Sequence, residues 1–183
     1  MMPQAGQFWT LGGTAFAVAV ALTFAQGALA KLRDQPAFLQ AVAAYRLLPE
    51  RLQEPVARML TGAEAGAALM LLAGAAGVGA FRGPGLAVAA VLLGLFALAM
   101  AVNLLRGRRG LDCGCGGRPK PIGWGLVAQN LLLAALLAAL ALTPVWPMAP
   151  LERLAAIAAG LCLWIVEQAL ALLAGGPARK GHG

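Results

Sequence analysis

Cys113 and Cys115, separated by Gly114, are the residues in this 183-residue chain best suited to chemistry. Thiols one residue apart can close a disulfide, but the small ring is strained. Strain makes the bond easier to reduce, which suits exchange more than structure. Gly114, with Gly116 and Gly117 after the pair, relieves the backbone restrictions of such a turn. Arg106, Arg108, Arg109, Arg118 and Lys120 surround it and favour the thiolate, while Asp112 opposes them. Metal handling is the competing chemistry. Two thiolates are too few for a closed zinc site, so no resident metal is expected, although such a pair can carry a soft ion in transit. The third cysteine, Cys162, stands alone in an apolar run and reads as a small buried hydrophobe.

The rest of the chain is membrane-like. Hydrophobic residues make up 61% of it and charged residues 11%, too little polar surface to cover a soluble core of this length. The net charge of +7 does not point to nucleic acid, because no aromatic-basic surface accompanies it. The basic residues fall in loops between apolar runs, as in proteins whose charges set membrane orientation.

The fold class expected is all-α: a polytopic bundle of about five spans, a four-helix core plus a C-terminal helix, in a single membrane domain over residues 1–183. The spans fall at about 8–30, 59–80, 85–105, 124–142 and 154–174. Ala28-Leu29-Ala30 has the look of a signal-peptidase site, but no basic segment precedes the first run, so that run reads as a retained helix. Residues 31–58 form an amphipathic interfacial segment. Phe38, Val42 and Tyr45 recur there at helical spacing, predicting a short surface helix over about Ala37–Leu47. Pro55 is expected in the first turn of the second span, Gly62 and Gly66 to permit close helix approach, and Phe81–Pro84 to form a tight turn. Residues 106–123 are the Cys-Gly-Cys loop.

Five spans put the 31–58 segment, the cysteine loop and the C-terminal tail on one face. That face holds twelve Lys and Arg residues, and the other holds only Arg82 and Arg153. The asymmetry places the cysteines in the cytoplasm. Polar residues within the spans lean the same way. Gln26, Glu64, Asn103, Gln129, Asn130 and Glu167 all fall in the half-membrane next to the cysteine loop. Intramembrane polar groups are costly and default to functional readings. Glu64, Asn103, Gln129 and Asn130 are therefore expected to line a polar pocket under the loop, with Glu64 its principal member. Lys31 or a loop arginine is a candidate partner for the carboxylate, and Lys31, Arg106, Arg108 and Arg109 form the basic surface flank. The competing reading is that the polar groups only fix helix packing.

Several of these stretches together resemble the methylamine-utilisation protein MauE family, a DoxX-related group of membrane proteins. They are Gly27–Asp34 at the exit of the first span, Ala44–Pro49, Glu64, Asn103–Arg109, Asp112–Gly117, and Trp124-Gly125 with Asn130. The resemblance covers about residues 10–142. The family often carries a bulkier residue at the position of Gly116 and an arginine at that of Gln129. It implies a part in maturing disulfide-rich extracytoplasmic proteins in amine metabolism, with a thioredoxin-like partner and a disulfide-containing client. The arrangement is also similar to vitamin K epoxide reductase, an analogy that would put the cysteines on the periplasmic side of a bacterial inner membrane, against the charge rule.

The leading expectation is thus a thiol–disulfide relay, with oxidoreductase-like chemistry at Cys113 and Cys115. The pocket beneath would accept a quinone or shape the loop. The alternatives are a small transporter or soft-metal handler using the thiolates, and a non-catalytic membrane chaperone docking a partner on the basic face.

Overall fold

The computed structural model describes residues 3–114 and 120–174. Those residues form six helices and no named strand: α1 Pro3–Arg33, α2 Gln35–Tyr45, α3 Glu50–Ala75, α4 Gly79–Leu105, α5 Trp124–Leu142 and α6 Pro150–Ala174. All but α2 are long and apolar enough to cross a bilayer, giving five membrane-length helices. The protein is an all-α, polytopic helical bundle.

The core is built from small residues. Ala17, Ala21, Ala67, Ala68 and Ala89 are buried with Leu71, Leu86, Leu92 and Leu137. In a bilayer, lipid tails are as apolar as leucine, so helices associate where small side chains let backbones approach. Leucines such as Leu69, Leu98, Leu132 and Leu163 point outward instead. Buried hydroxyls are satisfied within their own helices, Thr14 donating to Thr10 O at 2.7 Å and Thr61 to Ala57 O at 3.0 Å.

Close approach does not occur at the expected glycine pair. A β-carbon on Gly62 or Gly66 would meet nothing within 4 Å. Tight backbone contacts occur instead at Gly74, against Arg82 of α4, at Gly85, against the α3 backbone at Leu71, and at Gly160, whose β-carbon would fall 2.5 Å from Ala15 O on α1. A GxxxG spacing supplies a small face, but which helix lies opposite is set by the whole bundle.

Two turns also differ from the sequence reading. Phe81–Pro84 is helical, and the α3–α4 turn lies earlier, at Ala76–Val78. Gly77 takes φ +107° there, and Val78 N donates to Ala73 O at 2.9 Å, which closes the end of α3. Pro55 sits in the second turn of α3, not the first, and Pro84 lies inside α4 at the same depth. Both helices begin earlier than hydropathy suggests, because their first turns are polar or glycine-rich.

The order of packing is not the order of the chain. α1 packs on α3 and α6, α3 on α1 and α4, and α4 on α3 and α5. The segment from α5 to α6 therefore crosses over the start of α1. Trp146 N donates to Thr10 Oγ1 at 3.3 Å, and the Trp146 indole fills the space above Gly6. α6 then descends along the outside of α1, where Thr23 Oγ1 donates to Glu167 Oε2 and Gln26 Nε2 to Gln168 Oε1, both at 3.3 Å. Cys162 on this outer helix is exposed, not buried as its apolar neighbours suggested. Hydropathy cannot separate a core-facing from a lipid-facing position.

Gly160→Leu should push α6 away from α1, at about 1–3 kcal/mol for an overpacked contact. In a cysteine-free background, Thr23→Cys with Glu167→Cys should couple through a short bis-maleimide. Adding Gly160→Leu should abolish that coupling.

Candidate functional site

The cysteine loop leaves α4 through a left-handed turn. Gly107 has φ +75°, and Arg108 N donates to Asn103 O at 3.0 Å. The chain then forms a narrow hairpin. Asp112 pairs with Pro121 in an isolated bridge, Cys113 N donates to Lys120 O at 2.9 Å, and Ile122 N to Leu111 O at 2.9 Å. The Asp112 carboxylate fastens the neck by accepting from Lys120 N at 3.1 Å and Gly114 N at 3.3 Å. The sequence suggested only an electrostatic effect for Asp112; its structural part is to close the loop. Cys113 emerges half-buried at this neck, packed against the cluster of Met100, Leu104, Ile122 and Val127. Cys115 lies outside the described residues.

Arg108 joins the loop to α2. Its guanidinium donates to Asn103 Oδ1 at 2.9 Å, Tyr45 O at 3.1 Å and Ala44 O at 2.7 Å. Those two carbonyls belong to the last turn of α2, where no intrahelical donor reaches them. One planar fork of donors therefore satisfies the end of one helix and the side chain of another. Asn103 is completely buried and also donates to Ala99 O at 3.1 Å. Arg106 reaches Arg46 O at 3.4 Å, while Arg109 is exposed. α2 itself starts at the Asp34 cap, whose carboxylate accepts from Ala37 N at 3.1 Å. It ends at Arg46, in the left-handed conformation.

Lys31 is not on the surface flank. It lies in the last turn of α1, is 3% exposed, and forms a buried ion pair with Glu64 of α3. Its ammonium also lies 4.8 Å from the ring centroid of Phe38 on α2 and 5.5 Å from that of Phe96 on α4. One cation thus engages helices α2, α3 and α4 from its place on α1. The carboxylate selects this lysine because burial leaves each charge no cheaper alternative.

Glu64, Asn103, Gln129 and Asn130 were expected to line a polar pocket under the loop; the cavity found there is apolar, about 450 Å³, between α2, α3 and α4. Phe38, Ala41, Val42 and Tyr45 of α2 form its roof, and Cys113 and Gly114 line it from the loop. None of Glu64, Asn103, Gln129 or Asn130 lines it. Glu64 is engaged by Lys31, and Asn103 by Arg108. Asn130 is buried and donates to Leu126 O of its own helix at 2.8 Å. Gln129 is exposed, on the outside of α5. The residues share a depth in the membrane but not a direction, and the sequence shows only depth. The i, i+3, i+4, i+7 stripe of α2 was the signal available for the cavity wall.

Five membrane-length helices, with a cysteine hairpin seated on a short amphipathic helix, define a polytopic helical membrane protein with a thiol-bearing loop. Comparison with known proteins makes this specific. Residues 10–147 match the family model for methylamine utilisation protein MauE, and the chain belongs to that family. It is 39% identical over 166 residues to the methylamine utilization protein MauE of Methylophilus methylotrophus, covering 88% of this chain and 85% of the relative. It is 36% identical over 165 residues to the protein of the same name from Paracoccus denitrificans, covering 88% and 86%. No solved structure matches the chain.

Lys31→Met alone, or Glu64→Leu alone, should lower stability by about 3–5 kcal/mol by leaving one charge buried and unpaired. The double variant should recover most of that loss, read as the melting temperature of purified protein in detergent. Arg108→Met should expose the end of α2, raising hydrogen exchange across residues 42–48 and speeding tryptic cleavage after Arg46.

Proposed function

We propose that this protein is a membrane thiol–disulfide relay serving protein maturation in methylamine utilisation, with Cys113 and Cys115 as the exchanging pair. The observation that carries the reading is the placement of Cys113. It sits half-exposed at the neck of a loop whose backbone is held by Asp112 and whose Arg108 is tied to the end of α2. A thiol meant only for packing needs no such loop. The family relationship supports the biological setting, since the relatives carry methylamine utilisation in their names.

In the proposed cycle the pair rests as a disulfide. A thiolate of a reduced thioredoxin-like partner attacks one sulfur, forming a mixed disulfide and releasing the other cysteine of the pair as thiolate. The partner's second thiolate then displaces the first cysteine. The partner leaves as a disulfide and the pair is left as a dithiol, two electrons richer. The oxidised partner passes its disulfide to a client protein. Strain in a bond spanning so few residues favours this direction.

We place the protein in a bacterial cytoplasmic membrane with the loop on the exocytoplasmic side, where disulfides persist. This placement goes against the charge asymmetry, which persists when the basic residues engaged in intramolecular contacts, Lys31, Arg106 and Arg108 on one face and Arg153 on the other, are set aside.

One of the two single variants, Cys113→Ser or Cys115→Ser, should accumulate a mixed disulfide with the partner, visible on a non-reducing gel. The double serine variant should fail to support client maturation, and full maturation in that variant would overturn the relay. After mild reduction, a membrane-impermeant maleimide should label the pair in intact cells. Labelling only after lysis would reverse the orientation.

A further inference from the structure

A relay that oxidises partners must itself be reoxidised, and the proposed cycle leaves the pair as a dithiol. The apolar cavity offers a route. It has about 450 Å³, within the range of small-molecule sites, and among the described residues no charged side chain lines it. Its rim residues Met59 and Leu98 are 64% and 61% exposed on the outside of the bundle. In a protein with five membrane-length helices, that rim meets lipid. A solute entering there is dissolved in the bilayer. Inside, the aromatic residues Phe38, Tyr45 and Phe96 line it, and Cys113 forms part of the surface. The cavity therefore brings a lipid-soluble molecule against a thiol.

We infer that this cavity binds the ring of a membrane quinone, which takes electrons from the cysteine pair. The inference rests on the relay reading above and supplies its electron acceptor. The step balances: the dithiol loses two electrons and two protons and closes the Cys113–Cys115 disulfide, and the quinone gains both and becomes a quinol. An aromatic, apolar lining favours a quinone ring and disfavours polar oxidants such as small soluble disulfides. Phe38 and Phe96 also screen the cavity from Lys31, whose ammonium lies within 4.8 Å and 5.5 Å of their centroids. The ion pair that organises the bundle thereby holds two walls of the site.

The test uses the full chain, reduced and placed in lipid nanodiscs, with decylubiquinone as the probe. The wild type should consume the quinone with loss of two thiols per quinol formed, and Cys113→Ser should not. Ala41→Phe and Ala99→Phe, which fill the cavity, should each slow quinone reduction at least tenfold. Binding is read separately by a photoreactive azidoquinone. Label should fall on peptides of α2 and α4 and be displaced by decylubiquinone, which keeps the inference testable on wild type if a filled variant misfolds. Reduction at wild-type rate in well-folded filled variants would overturn it. So would label elsewhere, or equal displacement by a redox-inert isoprenoid alcohol, which would make the cavity a chain-binding site only. Exchange of the wild type with thioredoxin, measured in parallel, separates the two readings. Exchange without quinone reduction removes the quinone site and leaves the relay, whereas quinone reduction without exchange removes the relay and leaves the site.

Discussion

The buried ion pair between Lys31 and Glu64 is the constraint on which the arrangement of this bundle depends. Two opposite charges, each almost fully withdrawn from solvent, must meet or leave an uncompensated charge in a medium that solvates it poorly. Meeting fixes the rotation of α1 against α3, since only one face of each helix carries its charge. Lys31 is also stacked between Phe38 and Phe96, so the same contact sets where α2 and α4 lie. Apolar packing between alanine-rich helices is permissive, and many rotations bury similar area. The charges select one of them.

A second polar device holds the surface elements on that frame. Arg108 gathers the last carbonyls of α2 and the side chain of Asn103. Asp112 closes the hairpin that presents Cys113. Gly114, with φ +67°, turns the chain so that the loop rests near Phe38; a β-carbon there would lie 3.5 Å from its ring. The thiol loop, the amphipathic helix and the cavity between them are thus one assembly. A change at Arg108 or Asp112 acts on the loop without touching sulfur. The proposed relay and the proposed quinone site both draw on this assembly, one from its outer surface and one from its lipid-facing side.

Much of the helix content was legible because apolar run length and turn chemistry act locally. The fourth span, Trp124–Leu142, matches its expected bounds. The short helix after α1 was visible from the stripe Phe38, Val42, Tyr45, although its bounds shift by two residues at each end, to Gln35–Tyr45. The starts of α3 and α4 were misread because their opening turns look like loops by composition. In the candidate site, Glu64 and Lys31 were recognised as possible partners and Asn103 as a polar intramembrane residue, whereas Arg108 was read only as one of a basic flank. The four polar residues do not line the cavity under the loop, because depth along a span does not fix direction. Gln129 and Asn130 are adjacent in sequence and so about 100° apart around the helix, and only Asn130 is buried.

By itself, the sequence determined that the chain is a membrane helical bundle with two closely spaced thiols in a basic loop. Those properties follow from transfer free energies and from covalent spacing, which need no knowledge of neighbours. Tertiary structure decided which helices touch, and therefore everything that depends on direction. It set α6 against α1 instead of α5, turned Gly62 and Gly66 to open space, and turned Cys162 outward. It placed an apolar cavity where a polar one was expected. The physical reason is that a span's sequence fixes the depth of each residue, whereas its rotation and partners are fixed by a few buried contacts between distant segments, above all the one between Lys31 and Glu64.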